Sequence, residues 1–367
     1  MKTPQEMYDE HYARLTRAFT WEDQDRPPIT YNCDLFATRY MGLKLSELIT
    51  DTERANTLTL MGTLLMGGGE IDSASPGMYP PASEIQKNMK FPGRDLPDDE
   101  LWQVNEKEVM TAEDYDTIIN KGYGYFKQEF AKRIGDGTAT EKIKAMAPVM
   151  GRLARNLRSV GIVQLSTAMS DAFVESFCAM RSMPQFFRDL HKIPDKVQAA
   201  MDVAIEEHIG ELRKVIRANK PLSVFVGGSR STFLSKKLFE RFDLPYRTRI
   251  VNAAVEEGAF VHFHLDADWG PKLNYFLDFP KKKCILALDG MTDMFNAKKV
   301  LDGHMALMGD VPASLFSLGT PDEVYNYCTR LVNEIGPEGY IMSAGCAAPP
   351  NAKADNIKAM VCAVTGK

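Results

Sequence analysis

The sequence predicts an α/β fold and, within that class, a closed (β/α)8 TIM barrel. In the second half, short β-rich runs alternate with amphipathic helical stretches, the pattern of parallel strands joined by crossovers. Counted along the whole chain, such runs reach eight. No glycine-rich turn joins a first strand to a first helix, as a doubly wound nucleotide-binding sheet requires. At 367 residues the chain is long enough for one large barrel.

The expected strands cover residues 161–165, 222–226, 259–264, 284–288, 304–308 and 340–343, each rich in Val, Ile, Leu, Phe or Tyr. Pieces at 70–74 and 85–91 complete the count. Helical patterns occupy residues 197–218, 271–277, 294–301, 321–335 and 351–364. For the helix at 321–335, Thr320 reads as the N-cap and Pro321 as the first position, with Asp322 and Glu323 in the first turn, where the helix dipole favours negative charge. Gly336 is its expected stop. Gly67-Gly68-Gly69 ends a helix over 57–66 and turns the chain, because a strand follows it instead of preceding it.

The expected organisation is a helical extension over residues 1–66 and a barrel over 67–367, interrupted by an irregular excursion at 75–115. Phe91-Pro92-Gly93-Arg94-Asp95-Leu96-Pro97 carries proline and glycine at a density that forbids regular structure. The excursion either caps the barrel mouth or covers a helix. Phe173, Phe177, Met180, Met183, Phe186 and Phe187 are expected to serve the core.

The composition, 44% apolar and 25% charged, is that of a globular chain. A net charge of −5 without blocks of like charge argues against nucleic acid as a partner. The first twenty residues lack the apolar core of a signal peptide, and no run approaches the roughly 18 apolar residues of a membrane span. A cytoplasmic location and no membrane partner are expected. Six cysteines without a CxxC pair are expected as reduced thiols, mostly small buried residues.

Chemistry concentrates where expected strands end. In Val261-His262-Phe263-His264-Leu265-Asp266, alternation sends both imidazoles to one side, and Asp266 follows just beyond the strand. Two readings stand side by side: hydrogen-bonded core histidines with Asp266 capping a helix, or a metal site, because imidazole and carboxylate are both zinc ligands. Cys346, in Ser343-Ala344-Gly345-Cys346 after the last strand, sits where barrels place their chemistry, or else fills a tight turn. Asp289 and Asp293 follow the sixth strand, one as an N-cap and the other facing the mouth, and Asp310 follows the seventh as a loop acid. There is no GxSxG elbow, P-loop or HExxH motif.

The last third resembles the uroporphyrinogen decarboxylase superfamily, specifically its corrinoid-dependent methyltransferase branch. The resemblance runs over most of the chain and rests on His264-x-Asp266 followed by Trp269-Gly270-Pro271, on Ala287-Leu288-Asp289-Gly290, on Ala306-Leu307-Met308-Gly309-Asp310-Val311-Pro312, on Gly319-Thr320-Pro321-Asp322-Glu323-Val324, and on Ser343-Ala344-Gly345-Cys346. Phe91 to Pro97 is similar to a segment of the subgroup that demethylates aryl methyl ethers. The Met-Arg-Gln-Ala-Gly-Arg motif with which the decarboxylases hold propionates is absent, which argues against porphyrinogen decarboxylation.

The resemblance implies a TIM barrel and a zinc site. Thiol-methylating relatives bind zinc through His-x-Cys and a later Cys, which fall here on His264, Asp266 and Cys346. The departure at Asp266 replaces a thiolate by a carboxylate and suits activation of oxygen over binding of a thiol. The implied reaction moves a methyl group from a small O-methyl substrate, an aryl methyl ether, to the Co(I) corrinoid (cobalamin) of a partner corrinoid protein. His262 and Asp289 are expected as catalytic or substrate-orienting groups. The alternatives are methyl transfer from the methylated corrinoid protein to a thiol, and a non-catalytic barrel that binds a corrinoid or tetrapyrrole.

Overall fold

Eight parallel strands close into a ring in chain order: β1 (Thr30–Tyr31), β2 (Ser73–Ala74), β3 (Ser166–Asp171), β4 (Ser223–Gly227), β5 (Phe260–Leu265), β6 (Cys284–Leu288), β7 (Ala306–Val311) and β8 (Tyr340–Ala344). The computed structural model describes residues 2–74, 89–104, 106–134 and 139–367. Strands β3 to β8 form one continuous parallel sheet, and β1 pairs with β2. The ring closes through two parallel bridges, Ile29 to Met342 of β8 and Ser73 to Val163 just before β3.

The strands read from apolar runs are those covered on both faces. Cys284–Leu288 is buried at every position, as a central parallel strand enclosed by helices requires. Outward residues such as Val261, Phe263 and Leu265 pack under the helices in the main core. Inward residues at the strand starts, including Ile285, Ala306 and Ile341, form a second cluster with Leu15, Ala18 and Phe19 of the helix Pro4–Thr20. That helix therefore plugs the floor of the barrel. It is held by Asp72, fully buried, which accepts hydrogen bonds from Arg14 at 2.5 Å, Arg26 at 2.7 Å and the Ile29 amide at 2.8 Å.

Several expectations shift. The ladder of the third strand runs over Ser166–Asp171 instead of 161–165, because the apolar Val163 and Leu165 belong to the floor cluster, while the polar residues beyond them pair with β4. The seventh strand starts at Ala306, since the His304 and Met305 amides still bond to Leu301 at the end of the preceding helix. The first strand lies at Thr30–Tyr31, inside the segment expected to be wholly helical, so the barrel does not begin at residue 67. Met89–Lys90 pairs antiparallel with Gln103–Val104, outside the ring; residues 85–88 of that expected strand lie outside the described residues. The helices Lys236–Phe242, Leu244–Glu256 and Ala313–Leu318 have no counterpart in the sequence reading.

Other readings hold. Thr320 caps the helix Pro321–Glu334 in a full capping box with Glu323. The helix Thr52–Gly67 ends where Gly68 takes a positive φ of 55°. Phe173, Phe177 and Phe186 are buried, with Met180, Met183 and Phe187 packed against the same core. The described part of the excursion covers helices: Phe91 is buried against Leu43, Leu45, Leu48 and Ala55, and the Ser46 amide bonds to the Asp98 carbonyl. Residues 75–88 and 105 of the excursion lie outside the described residues. No helix among the described residues is long and apolar enough to cross a membrane.

Candidate active site at the barrel mouth

His264 lies near the C-terminal end of β5, Asp266 just past it, and Cys346 two residues past β8. The fold brings all three together. Their ligand atoms lie within 4.8 Å of one another, with His264 Nε2 at 3.4 Å from Asp266 Oδ1. His264 and Asp266 are half-buried, and Cys346 is exposed at the rim.

The neighbours hold this arrangement from behind. The Ser229 hydroxyl, in the loop after β4, accepts from the Asp266 amide at 2.9 Å and donates to Asp266 Oδ2 at 3.3 Å. The Trp269 indole donates to the Asp266 carbonyl at 3.0 Å. Gly345 is required where it stands: a Cβ there would meet the Asp289 carbonyl oxygen at 2.7 Å, so only glycine lets the Cys346 loop approach β6.

Burial pushes the His264 pKa down, but hydrogen bonds to Asp266 and Cys346 outweigh it and raise the value to about 10. The same hydrogen bond to His264 lowers the Asp266 carboxyl against the cost of burial. The three groups are thus a compact cluster that favours positive charge at its centre. A metal cation held there would take the place of the imidazole proton.

His262 and His264 both face the barrel interior, as alternation predicts, with His262 one pleat deeper. Their rings flank Phe225 of β4, at centroid distances of 5.4 and 5.8 Å. A relay orients His262: Ser223 donates to the Leu165 carbonyl at 2.8 Å, Ser166 to Ser223 at 2.7 Å, and His262 Nδ1 to Ser166 at 3.3 Å. This order leaves Nε2 as an acceptor, and it has no partner among the described residues. Burial, reinforced by the nearby His264, pushes the His262 pKa down to about 3 and keeps the ring neutral.

Asp289 does not join the cluster. Its two oxygens accept from the Ala267 amide at 3.0 Å and the Met291 amide at 2.9 Å, tying the loop after β6 to the loop that carries Asp266. It is a positioning residue. Asp293 is the N-cap of the helix Met294–Leu301. Asp310 is not a loop acid: it lies within β7, buried, and accepts a 2.8 Å hydrogen bond from Tyr327. Burial raises its pKa to about 6.

Ser229 and Asp171 escaped the sequence reading. Ser229 follows Gly227-Gly228 at the end of β4, and Asp171 ends β3. Both stand where barrels carry function, a signal that becomes usable once strand ends are placed.

The sequence pattern of the family described as uroporphyrinogen decarboxylase (URO-D) matches residues 155–366, more than half of the chain and all of β3 to β8. The chain belongs to the uroporphyrinogen decarboxylase family. Among solved structures, a methyltransferase from Methanosarcina mazei is similar over 96% of this chain and 97% of its own, with a TM-score of 0.67 and 16% sequence identity. At that identity the likeness is one of fold, and it extends the URO-D barrel over nearly the whole chain. No curated protein sequence matches the chain. Within the URO-D fold, the candidate cluster therefore occupies the ends of β5 and β8, on opposite flanks of the β6–β7 pair.

Proposed function

We propose that this chain is a methyltransferase that moves a methyl group from an O-methyl substrate, an aryl methyl ether, to the corrinoid of a separate protein, with zinc held by His264, Asp266 and Cys346. The convergence of these three donors within 4.8 Å at the barrel mouth carries the reading. Imidazole, carboxylate and thiol are all donor types that would hold zinc, and their ligand atoms stand close enough together for one ion to reach all three. Three protein ligands on an open rim leave a fourth position for substrate, the arrangement of catalytic zinc sites.

Bound there, zinc supplies Lewis acidity toward the ether oxygen that must leave. The chain's own residues do the rest. Ser229 fixes the Asp266 carboxylate, and Asp289 and Trp269 fix the peptide bond that follows it, so that the donors are oriented before substrate arrives. Phe225 offers an aromatic surface between the two histidines. The carboxylate at position 266 makes the donor set harder than one with two thiolates, which favours an oxygen leaving group over a thiol acceptor.

The test is to mix the protein with a reduced corrinoid protein and a panel of aryl methyl ethers. The absorbance of the methylated corrinoid should appear, together with the free phenol. Absence of that absorbance with every donor, from protein that contains zinc, would contradict the proposal.

A further inference from the structure

We infer that Arg247, fully buried behind the barrel mouth, is a positioning residue for Asp266, because it braces both of that residue's supports, the turn that carries Ser229 and the Trp269 indole. The inference rests on the zinc reading above only for what Asp266 then holds.

Arg247 lies in the helix Leu244–Glu256, and its guanidinium reaches from there to the loop after β4. Nε and Nη2 donate to the two carboxylate oxygens of Asp243, itself buried, at 2.7 and 3.1 Å. Nη2 also donates to the Gly228 carbonyl at 3.2 Å and to the Ser231 hydroxyl at 3.1 Å. These two acceptors flank Ser229, the residue whose hydroxyl bonds to both the amide and the carboxylate of Asp266. Gly228 stands at a φ of 139°, and a Cβ on it would meet Ala172 Cβ at 2.8 Å and Arg247 Nη2 at 3.3 Å, so only glycine lets the turn close onto the guanidinium.

The same cation lies over the Trp269 ring, its central carbon 5.5 Å from the ring centroid, and 5.9 Å from that of Phe263. Trp269 is fully buried and donates to the Asp266 carbonyl, while Phe263 immediately precedes His264 on β5. One side chain therefore touches the strand before His264, the indole behind Asp266 and the turn beside it. Packing alone does not call for a charge in this place. A guanidinium taken out of water is costly even when paired, and apolar side chains of similar volume often keep a fold as stable. What the guanidinium adds is a rigid planar fork of donors, which neither an ammonium nor a hydrocarbon reproduces.

Arg247→Lys, which keeps a charge beside Asp243 and loses the fork, tests the inference through two readouts. In metal-free protein, hydrogen exchange followed by mass spectrometry should show residues 228–234 and 264–270 losing protection, with the floor helix Pro4–Thr20 unchanged. A purely structural role would instead loosen the floor as well. Zinc affinity, from competition with a chelator, should fall about tenfold or more, as loss of a group that orients a ligand implies. Unchanged exchange in the two segments, or faster exchange everywhere, overturns the inference, as does zinc bound as tightly as by the wild type. Should Arg247→Lys not fold, the double variant Asp243→Asn with Arg247→Met, which removes both buried charges, is held to the same outcomes. Failure of the zinc reading shows separately, as a wild type that takes up no zinc while the two segments still loosen in the variant, which supports the bracing of Asp266 and removes only the metal.

Discussion

At the strand starts, the barrel is filled by Leu15, Ala18 and Phe19 packed against Ile285, Ala306 and Ile341, all fully buried, whereas at the strand ends the same ring of strands presents His264, Asp266, Cys346 and Asp171 around an open mouth. The floor satisfies its charges internally, through Asp72 and the two arginines. The mouth instead gathers the ligand atoms of His264, Asp266 and Cys346 within 4.8 Å of one another. One scaffold thus separates stability from chemistry by strand polarity, and substitutions at the two ends should have separable effects.

The largest effect on stability is expected at the floor. Phe19 is fully buried and stacks on Phe260 at 4.5 Å. Phe19→Ala should cost about 3–5 kcal/mol, read from urea unfolding, while the folded fraction keeps its metal content. Loss of metal at full folding would break the proposed separation.

Asp310 tests the wall between the two ends. Its folded-state pKa of about 6 stands above the ordinary 3.8, so the folded state holds this proton more tightly than the unfolded one. Stability is therefore highest below the ordinary value and falls as pH rises through 6, by something on the order of 1–3 kcal/mol. Asp310→Asn, which still accepts from Tyr327, should be more stable than wild type by that amount at pH 8 and should lose the advantage near pH 4. Urea unfolding at the two pH values checks the sign.

The smallest effect on stability, with the sharpest effect on the site, is expected at Ser229. Ser229→Ala should change unfolding free energy by no more than about 1 kcal/mol. It should weaken zinc binding about tenfold or more, because it removes the group that orients Asp266. Competition with a chelator measures that loss.

The same contrast explains what the sequence reveals. Strands β4 to β8 are legible because their outward faces are continuous apolar surface under helices, as in Cys284–Leu288. Strand β1 is two residues long and Thr30 carries no apolar pattern, so only tertiary closure defines it, whereas β2 falls within the piece expected at 70–74. The apolar run at 161–165 misplaces β3 because it belongs to the floor, and that displacement hides Asp171 at the true strand end. The helix Lys236–Phe242 is too short, at seven residues, for periodicity to show. His264, Asp266 and Cys346 are legible because they stand on correctly placed strand ends and in a family pattern. Asp289 and His262, expected as catalytic or substrate-orienting groups, have surroundings that only the hydrogen-bond network shows: one ties loops together and the other is fixed by a serine relay.

The central claim is that His264, Asp266 and Cys346 hold zinc. Metal analysis of the purified protein beside Cys346→Ser tests it most directly, because the exchange barely alters size while replacing a thiolate donor with a hydroxyl that stays protonated. About one zinc per chain in the wild type and its loss in the variant are the results expected for a three-ligand site. Full zinc occupancy in Cys346→Ser, or a wild type that takes up no zinc, would contradict the account.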